Sequence, residues 1–316
     1  MISRRQFIQT SSILSAASVL PLGTLANGIF PNRKFTLCLN PGAIGVKANQ
    51  QETFNMAVKH GYEAITVQAA ELSQMSSDEI KALVKDMEYK QVKWGSAGLP
   101  VDFRKDQATF NEGLKPLPEY AEAMNRAGAT RMNTWVLSFD HQLTYLRNFK
   151  QHTERLREVA TILNDHGVRL GLEYVGPRTL QAVGKYSFIR TMTEAKELID
   201  AIDRPNVGLV LDSFHWYCAG EGKEDLLTLT NEDIVAVDLN DARSGFPADE
   251  QIDGKRELPS ATGVIDLHSF LSALVTIGYD GPIRAEPFNQ PLREMKADDA
   301  LSATFKAMRK SFDLIE

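Results

Sequence analysis

The chain has 316 residues, 43% of them hydrophobic and 24% charged, with a formal net charge of -6, a composition that describes one globular body. Its 35 Lys and Arg residues are dispersed without a basic block, which excludes nucleic acid as a partner. Two cysteines, Cys38 and Cys218, are too few for a disulfide framework and are not spaced as a zinc or redox motif.

The N-terminus reads as an export signal. Ser3-Arg4-Arg5-Gln6-Phe7-Ile8 precedes a weakly apolar, small-residue stretch over 13–25, shorter than the roughly 20 apolar residues of a bilayer span. Thr24-Leu25-Ala26 supplies the small residues of a processing site, and no acidic residue occurs before Glu52. The paired arginines indicate a twin-arginine-type signal peptide over 1–26, a short linker over 27–33, no stable membrane span and a periplasmic or cell-envelope address.

From residue 34 onward, β-rich runs alternate with amphipathic stretches, the pattern of a parallel sheet with crossover helices. Strands are predicted over 35–39, 64–68, 92–96, 130–136, 169–175, 207–212, 234–240 and 283–286. Helices are predicted between them over 50–60, 77–89, 108–126, 143–166, 193–202, 222–229 and 267–276, with 298–312 closing the chain. Ser76-Ser77-Asp78-Glu79 and Thr191-Met192-Thr193-Glu194 supply N-terminal caps, and Gly61, Gly128, Gly167 and Gly278 end four helices just before the next strand. Eight such units without a Gly-, Ser- or Pro-rich linker predict an α/β fold, a single (β/α)8 TIM barrel over 34–316. The longest irregular stretch, 241–265, follows the seventh strand and belongs over the C-terminal mouth.

Reactive groups of such barrels project from the C-terminal strand ends. Strand five ends Gly171-Leu172-Glu173, strand six Val210-Leu211-Asp212, strand seven carries Val237-Asp238-Leu239-Asn240, and strand eight ends Ala285-Glu286. Four adjacent carboxylates ending apolar strands repel one another, and a divalent cation is their simplest neutraliser. An all-oxygen set suits a hard ion, Mg²⁺ or Mn²⁺, better than zinc. The charge left over calls for a protonated carboxyl or a nearby cation, with Arg243, Lys255 and Arg256 of the following loop as candidates. His215, three residues beyond Asp212, stands beside Trp216 and Tyr217 where a strand feeds a loop, a place for contact with a bound molecule or the metal. The two rings serve stacking or wall packing. His141, after strand four, is a weaker contact. No phosphate-binding glycine loop and no nucleophile elbow is present.

Gly171-Leu172-Glu173, Leu211-Asp212-Ser213-Phe214-His215, Val237-Asp238-Leu239-Asn240-Asp241 and Ala285-Glu286-Pro287-Phe288 together resemble the sugar phosphate isomerase/epimerase family of xylose-isomerase-like TIM barrels. The resemblance implies a metal held by Glu173, Asp212, Asp238 and Glu286, with Glu173 and Glu286 as the proton-transferring pair and His215 touching substrate. It also exposes a departure, because ketose-epimerase relatives carry a histidine ligand where this chain has Asp238. Arg243, Arg256 and Glu257 of the long loop, with His141 and Trp216, are the further substrate contacts expected.

Three functions follow from this reading. The first is a metal-dependent isomerase or epimerase working through an enediolate on a free sugar, a glycoside or a cyclitol, since an exported protein meets few phosphorylated sugars. The second is a 3-keto-glycoside lyase or glycal hydratase using the same site. The third is a non-catalytic envelope sugar-binding protein, which two bases facing one substrate carbon argue against.

Overall fold

The computed structural model describes residues 33–315. The export signal expected over 1–26 and most of the linker lie outside the described residues. Within them, no helix is long and apolar enough to cross a membrane.

Eight parallel strands close into a barrel: β1 (Thr36–Leu39), β2 (Ala64–Val67), β3 (Lys93–Gly98), β4 (Arg131–Val136), β5 (Arg169–Tyr174), β6 (Val207–Asp212), β7 (Ile234–Leu239) and β8 (Pro282–Ala285). Around the barrel the strands follow chain order, and β8 closes onto β1. All six residues of β6 and of β7 are buried, as strands sandwiched between a filled interior and a helical layer require. The TIM barrel expected from eight strand–helix units is the fold observed.

The helices follow their caps. Asn49, Ser76 and Thr191 each accept a backbone N–H from a glutamate three residues on, whose side chain reaches back, and Gly61, Gly128 and Gly278 end helices in the left-handed conformation. One expected helix, 108–126, is two: Gln107–Leu114 and Leu117–Ala127. Pro116 lacks the N–H that would continue the ladder and instead opens the second helix. Short helices that the periodicity leaves unseen line the mouth, Arg178–Gln181 and Ser213–Ala219 among them.

Helix Ser213–Ala219 starts without a loop. Asp212 ends β6 and also caps this helix, its Oδ1 accepting Phe214 N–H at 2.7 Å. The strand-end carboxylate and His215 are thereby fixed on one rigid turn. Gly176, just past β5, lets that turn approach: a Cβ there would lie 2.3 Å from the His215 carbonyl oxygen.

Candidate active site at the barrel mouth

A cleft of about 950 Å³ opens at the C-terminal ends of the strands. Glu173, His215, Arg256, Arg284, Glu286, Trp135 and Phe288 are among its lining residues. Asp212 and Asp238 are not; both are fully buried. The ring of four carboxylates is therefore two layers, glutamates facing the cleft and aspartates behind them.

The layers differ in their partners. Asp212 accepts Phe214 N–H, the Asn240 amide at 3.1 and 3.0 Å, and Arg256 Nη1 at 2.6 Å. Asp238 gives both oxygens to Arg284, with Nε at 2.5 Å and Nη2 at 2.9 Å. In contrast, among the described residues Glu173 Oε1 is buried with no hydrogen-bond partner, and the Glu286 carboxylate meets Arg256 Nη1 at 3.8 Å. The aspartates are held in fixed orientations by their bonds, whereas the glutamates are free to exchange protons.

Electrostatics sort them the same way. Burial, then the charges of Asp238, Glu286 and Asp212, hold the Glu173 carboxyl well above its ordinary range. Burial and the Asp238 charge push Glu286 up to about 7. An oxygen of each glutamate, with one of Asp238, lies within 4.8 Å of the others. Two facing carboxyls are thus raised above their ordinary range, Glu286 to about 7, as general acid–base work requires.

Arg256 is the cation that the sequence required. Its guanidinium reaches from the long loop to lie 4.9 Å from the Phe214 ring centre and 4.5 Å from that of Phe288, and it also pairs with Asp253 at 2.8 Å. Phe288 takes its place at φ 39°, a left-handed conformation that costs a non-glycine residue about 1–2 kcal/mol. Arg256 Nη2 stands 3.2 Å from His215 Nε2. A guanidinium only donates, so Nε2 accepts and the ring proton sits on Nδ1, which has no partner. Burial, and secondarily Arg256, lower His215 to about 3, so it is a neutral polar contact and not a proton carrier near pH 7.

Several expected contacts lie elsewhere. Trp216 is buried in the wall, its Nε1 donating to the Gly222 carbonyl and its ring against Phe270. His141 is exposed beside Phe139, outside the cleft. Arg243 stacks over Phe246 at 4.1 Å, and Gln251 bonds both its N–H and its carbonyl. Glu257 accepts the Asn289 amide at 2.9 Å, bracing the loop from behind. All four side chains are absent from the cleft lining.

Trp135 and Arg284 are among the cleft residues that were not anticipated. Trp135, 42% exposed, sits in register with Glu173 and carries the Arg104 guanidinium 4.0 Å from its ring centre. Period-2 alternation from Asn133 was the available signal, since residues 133 and 135 share a strand face. Arg284 could have been found likewise, two residues before Glu286.

The site offers donors for a divalent ion. The guanidiniums of Arg256 and Arg284 offset only part of the charge of Glu173, Asp212, Asp238, Glu286 and Asp253, and the buried Glu173 Oε1 is an oxygen without a hydrogen-bond donor. Glu173, Asp238 and Glu286 form one group of neighbouring oxygens, and Glu173, Asp212 and His215 a second group that includes an imidazole.

Known proteins resemble this chain in sequence and fold. A family model described as the xylose isomerase-like TIM barrel matches residues 54–311. Inosose isomerase of Bacillus velezensis is 25% identical over 268 residues, covering 84% of this chain and 92% of that protein. A 3-dehydroshikimate dehydratase of Pseudomonas aeruginosa is 31% identical over 140 residues, 44% of this chain but 20% of that larger protein. The crystal structure of an IOLI protein with a bound zinc atom superposes with a TM-score of 0.71 at 25% identity, covering 89% of this chain and 98% of that one.

Proposed function

Because the chain belongs to the xylose isomerase-like TIM barrel family, we propose that it is a metal-dependent isomerase or epimerase moving protons on a polyhydroxylated ketone, a free sugar, glycoside or cyclitol. The observation that carries this reading is the pair of bare glutamates, Glu173 and Glu286, facing one cleft with carboxyls raised above their ordinary range, Glu286 to about 7. The inosose isomerase relative supports an isomerase. The zinc-bound neighbour supports a metal, and the oxygen-rich donors argue for Mn²⁺ or Mg²⁺.

Glu173, Glu286 and Asp238 would hold a divalent ion, which when bound would supply Lewis-acid polarisation of substrate oxygens. One glutamate, ionised, removes the proton from the carbon beside the ketone; the other, protonated, returns a proton to the enediolate at the neighbouring carbon or on the opposite face. His215 and Arg256 offer neutral and cationic contacts to substrate oxygens, and Trp135 offers an exposed ring at the rim. The twin-arginine-type signal read in residues 1–26 would deliver this activity to the periplasm or envelope.

The dehydratase relative favours a second outcome from the same proton removal. When the carbon beyond the enolate carries an oxygen substituent, its bond breaks, the electron pair leaves with oxygen, and a protonated glutamate supplies the departing proton. That is the lyase or hydratase reading.

One experiment separates the two. Free ketoses, keto-cyclitols and 3-keto-glycosides are incubated with the Mn²⁺- or Mg²⁺-loaded protein in D₂O and followed by NMR. Deuterium entering beside the ketone with an isomerised or epimerised product is the expected result, and released water or aglycone without any ketose identifies the lyase. A protein that exchanges no carbon-bound hydrogen in any substrate is not an enzyme of this class.

A further inference from the structure

The two buried aspartates are neutralised by different devices. Arg256 reaches Asp212 from a loop, whereas Arg284 and Asp238 are in-register neighbours on adjacent strands. Arg284 lines the cleft, and Asp238 behind it is fully buried. The fork is held from a third strand as well. With its amide turned to satisfy its neighbours, Asn133 accepts from Arg284 Nη2 at 3.1 Å and donates to Ser96 Oγ and the Ala97 carbonyl, each at 2.9 Å. One Asp238 oxygen lies within 4.8 Å of oxygens of both Glu173 and Glu286. Uncompensated, Asp238 would put a third negative charge beside the unpartnered Glu173 Oε1.

We infer that Arg284 is a positioning residue of the ion seat: it aims Asp238 as an oxygen donor while cancelling its charge. The inference rests on the metal-dependent reading above. It assigns Arg284 an effect on ion affinity that an ordinary internal brace lacks. Removing a cation from beside the seat strengthens divalent binding, and removing the aspartate while keeping the cation weakens it.

The test is calorimetric titration of Mn²⁺ and Mg²⁺ into chelator-stripped protein, without substrate. The wild type is expected to bind one ion; if it binds none, the metal-dependent reading itself fails. Given wild-type binding, Asp238→Asn should loosen the ion by about tenfold or more, since it subtracts a charge while Arg284 remains. Adding Arg284→Met to that variant should recover most of the loss, because the ring then returns to its original charge. Arg284→Lys, which keeps the charge but loses the fork that aims Asp238, should bind the ion more weakly than wild type, and unchanged affinity would reduce Arg284 to a charge alone. Recovery in the double variant is a gain that a purely structural role does not produce. A double variant binding no tighter than Asp238→Asn overturns the inference and leaves the metal-dependent reading standing.

Discussion

At the scale of single residues, the division between bare glutamates and bonded aspartates sets what each substitution does. Glu173→Gln and Glu286→Gln remove a proton carrier while keeping shape, so each should lower solvent-hydrogen exchange into substrate by about 10²–10⁴-fold with circular dichroism unchanged. Undiminished exchange in either variant would remove that residue from the acid–base pair. The two tryptophans make an internal control. Trp135→Ala takes an exposed ring from the cleft rim and should raise KM several-fold with little effect on melting temperature, whereas Trp216→Ala empties a packed wall and should cost about 3–5 kcal/mol of stability. The four strand-end carboxylates were legible because acidic residues ending apolar strands are costly and stand out. Their layering was not legible, because it depends on Arg284 and Arg256 arriving from a neighbouring strand and a distant loop. Trp216 was misplaced for a related reason: it follows His215 closely, but a helical turn at Ser213 swings consecutive side chains to different faces.

At the scale of elements, the strands and long helices were legible because their periods and caps are local, and Gly61, Gly128 and Gly278 mark real helix ends. The mouth was legible only as a long irregular stretch, since its order comes from tertiary bonds. Gln251 ties the 241–265 loop to itself through Arg243 and Phe246, Thr179 holds the Gln251 carbonyl from helix Arg178–Gln181, and Asp241 collects the N–H groups of Thr262, Gly263 and Ile265. The turn carrying His215 is held as tightly. Ser213 Oγ donates to the Asn240 carbonyl at 2.9 Å and accepts Asn240 N–H at 2.8 Å, joining the end of β6 to the segment after β7. Gly176 closes on this turn from β5, so Gly176→Ala must displace His215 and the cap formed by Asp212. The expected result is a stability loss of about 1–3 kcal/mol together with at least a tenfold fall in kcat, because the reactive groups move with the backbone. Full activity in a folded Gly176→Ala protein would show that the placement of this turn does not limit catalysis.

At the scale of the whole molecule, the carboxyls raised by burial make stability depend on pH in a direction set by proton counting. The Glu286 carboxyl is pushed from an ordinary 4.5 up to about 7 in the folded chain, Glu173 is raised in the same sense, and burial lifts Glu221, bonded to Tyr174 and to the Met192 N–H, to about 7. Between pH 4.5 and 7 the unfolded chain has already lost these protons while the native chain keeps them. The native state then binds more protons, so raising the pH favours unfolding. A tenfold difference in proton affinity between the folded and unfolded chain corresponds to about 1.4 kcal/mol, and the groups together should cost a few kcal/mol by pH 8. Glu63, held below its ordinary range by the Arg33 hydrogen bond and charge against its own burial, works in the opposite sense but below this window. His215 and His152, lowered by burial to about 3 and about 4, also oppose the trend, but only up to their unfolded value near 6.5. In chelator the melting temperature should therefore fall from pH 6.5 to pH 8. Saturating Mn²⁺ or Mg²⁺ binds the ionised glutamates and should restore most of that loss at pH 8 while doing little at pH 5, where protons compete for the same oxygens. Glu221 is not among the residues lining the cleft, so its share should persist with the ion present and disappear in Glu221→Gln. A melting temperature that rises from pH 6.5 to pH 8 in chelator, or an ion effect equal at pH 5 and pH 8, would mean that Glu173 and Glu286 do not hold protons into the neutral range, and the acid–base pairing would lose its physical basis.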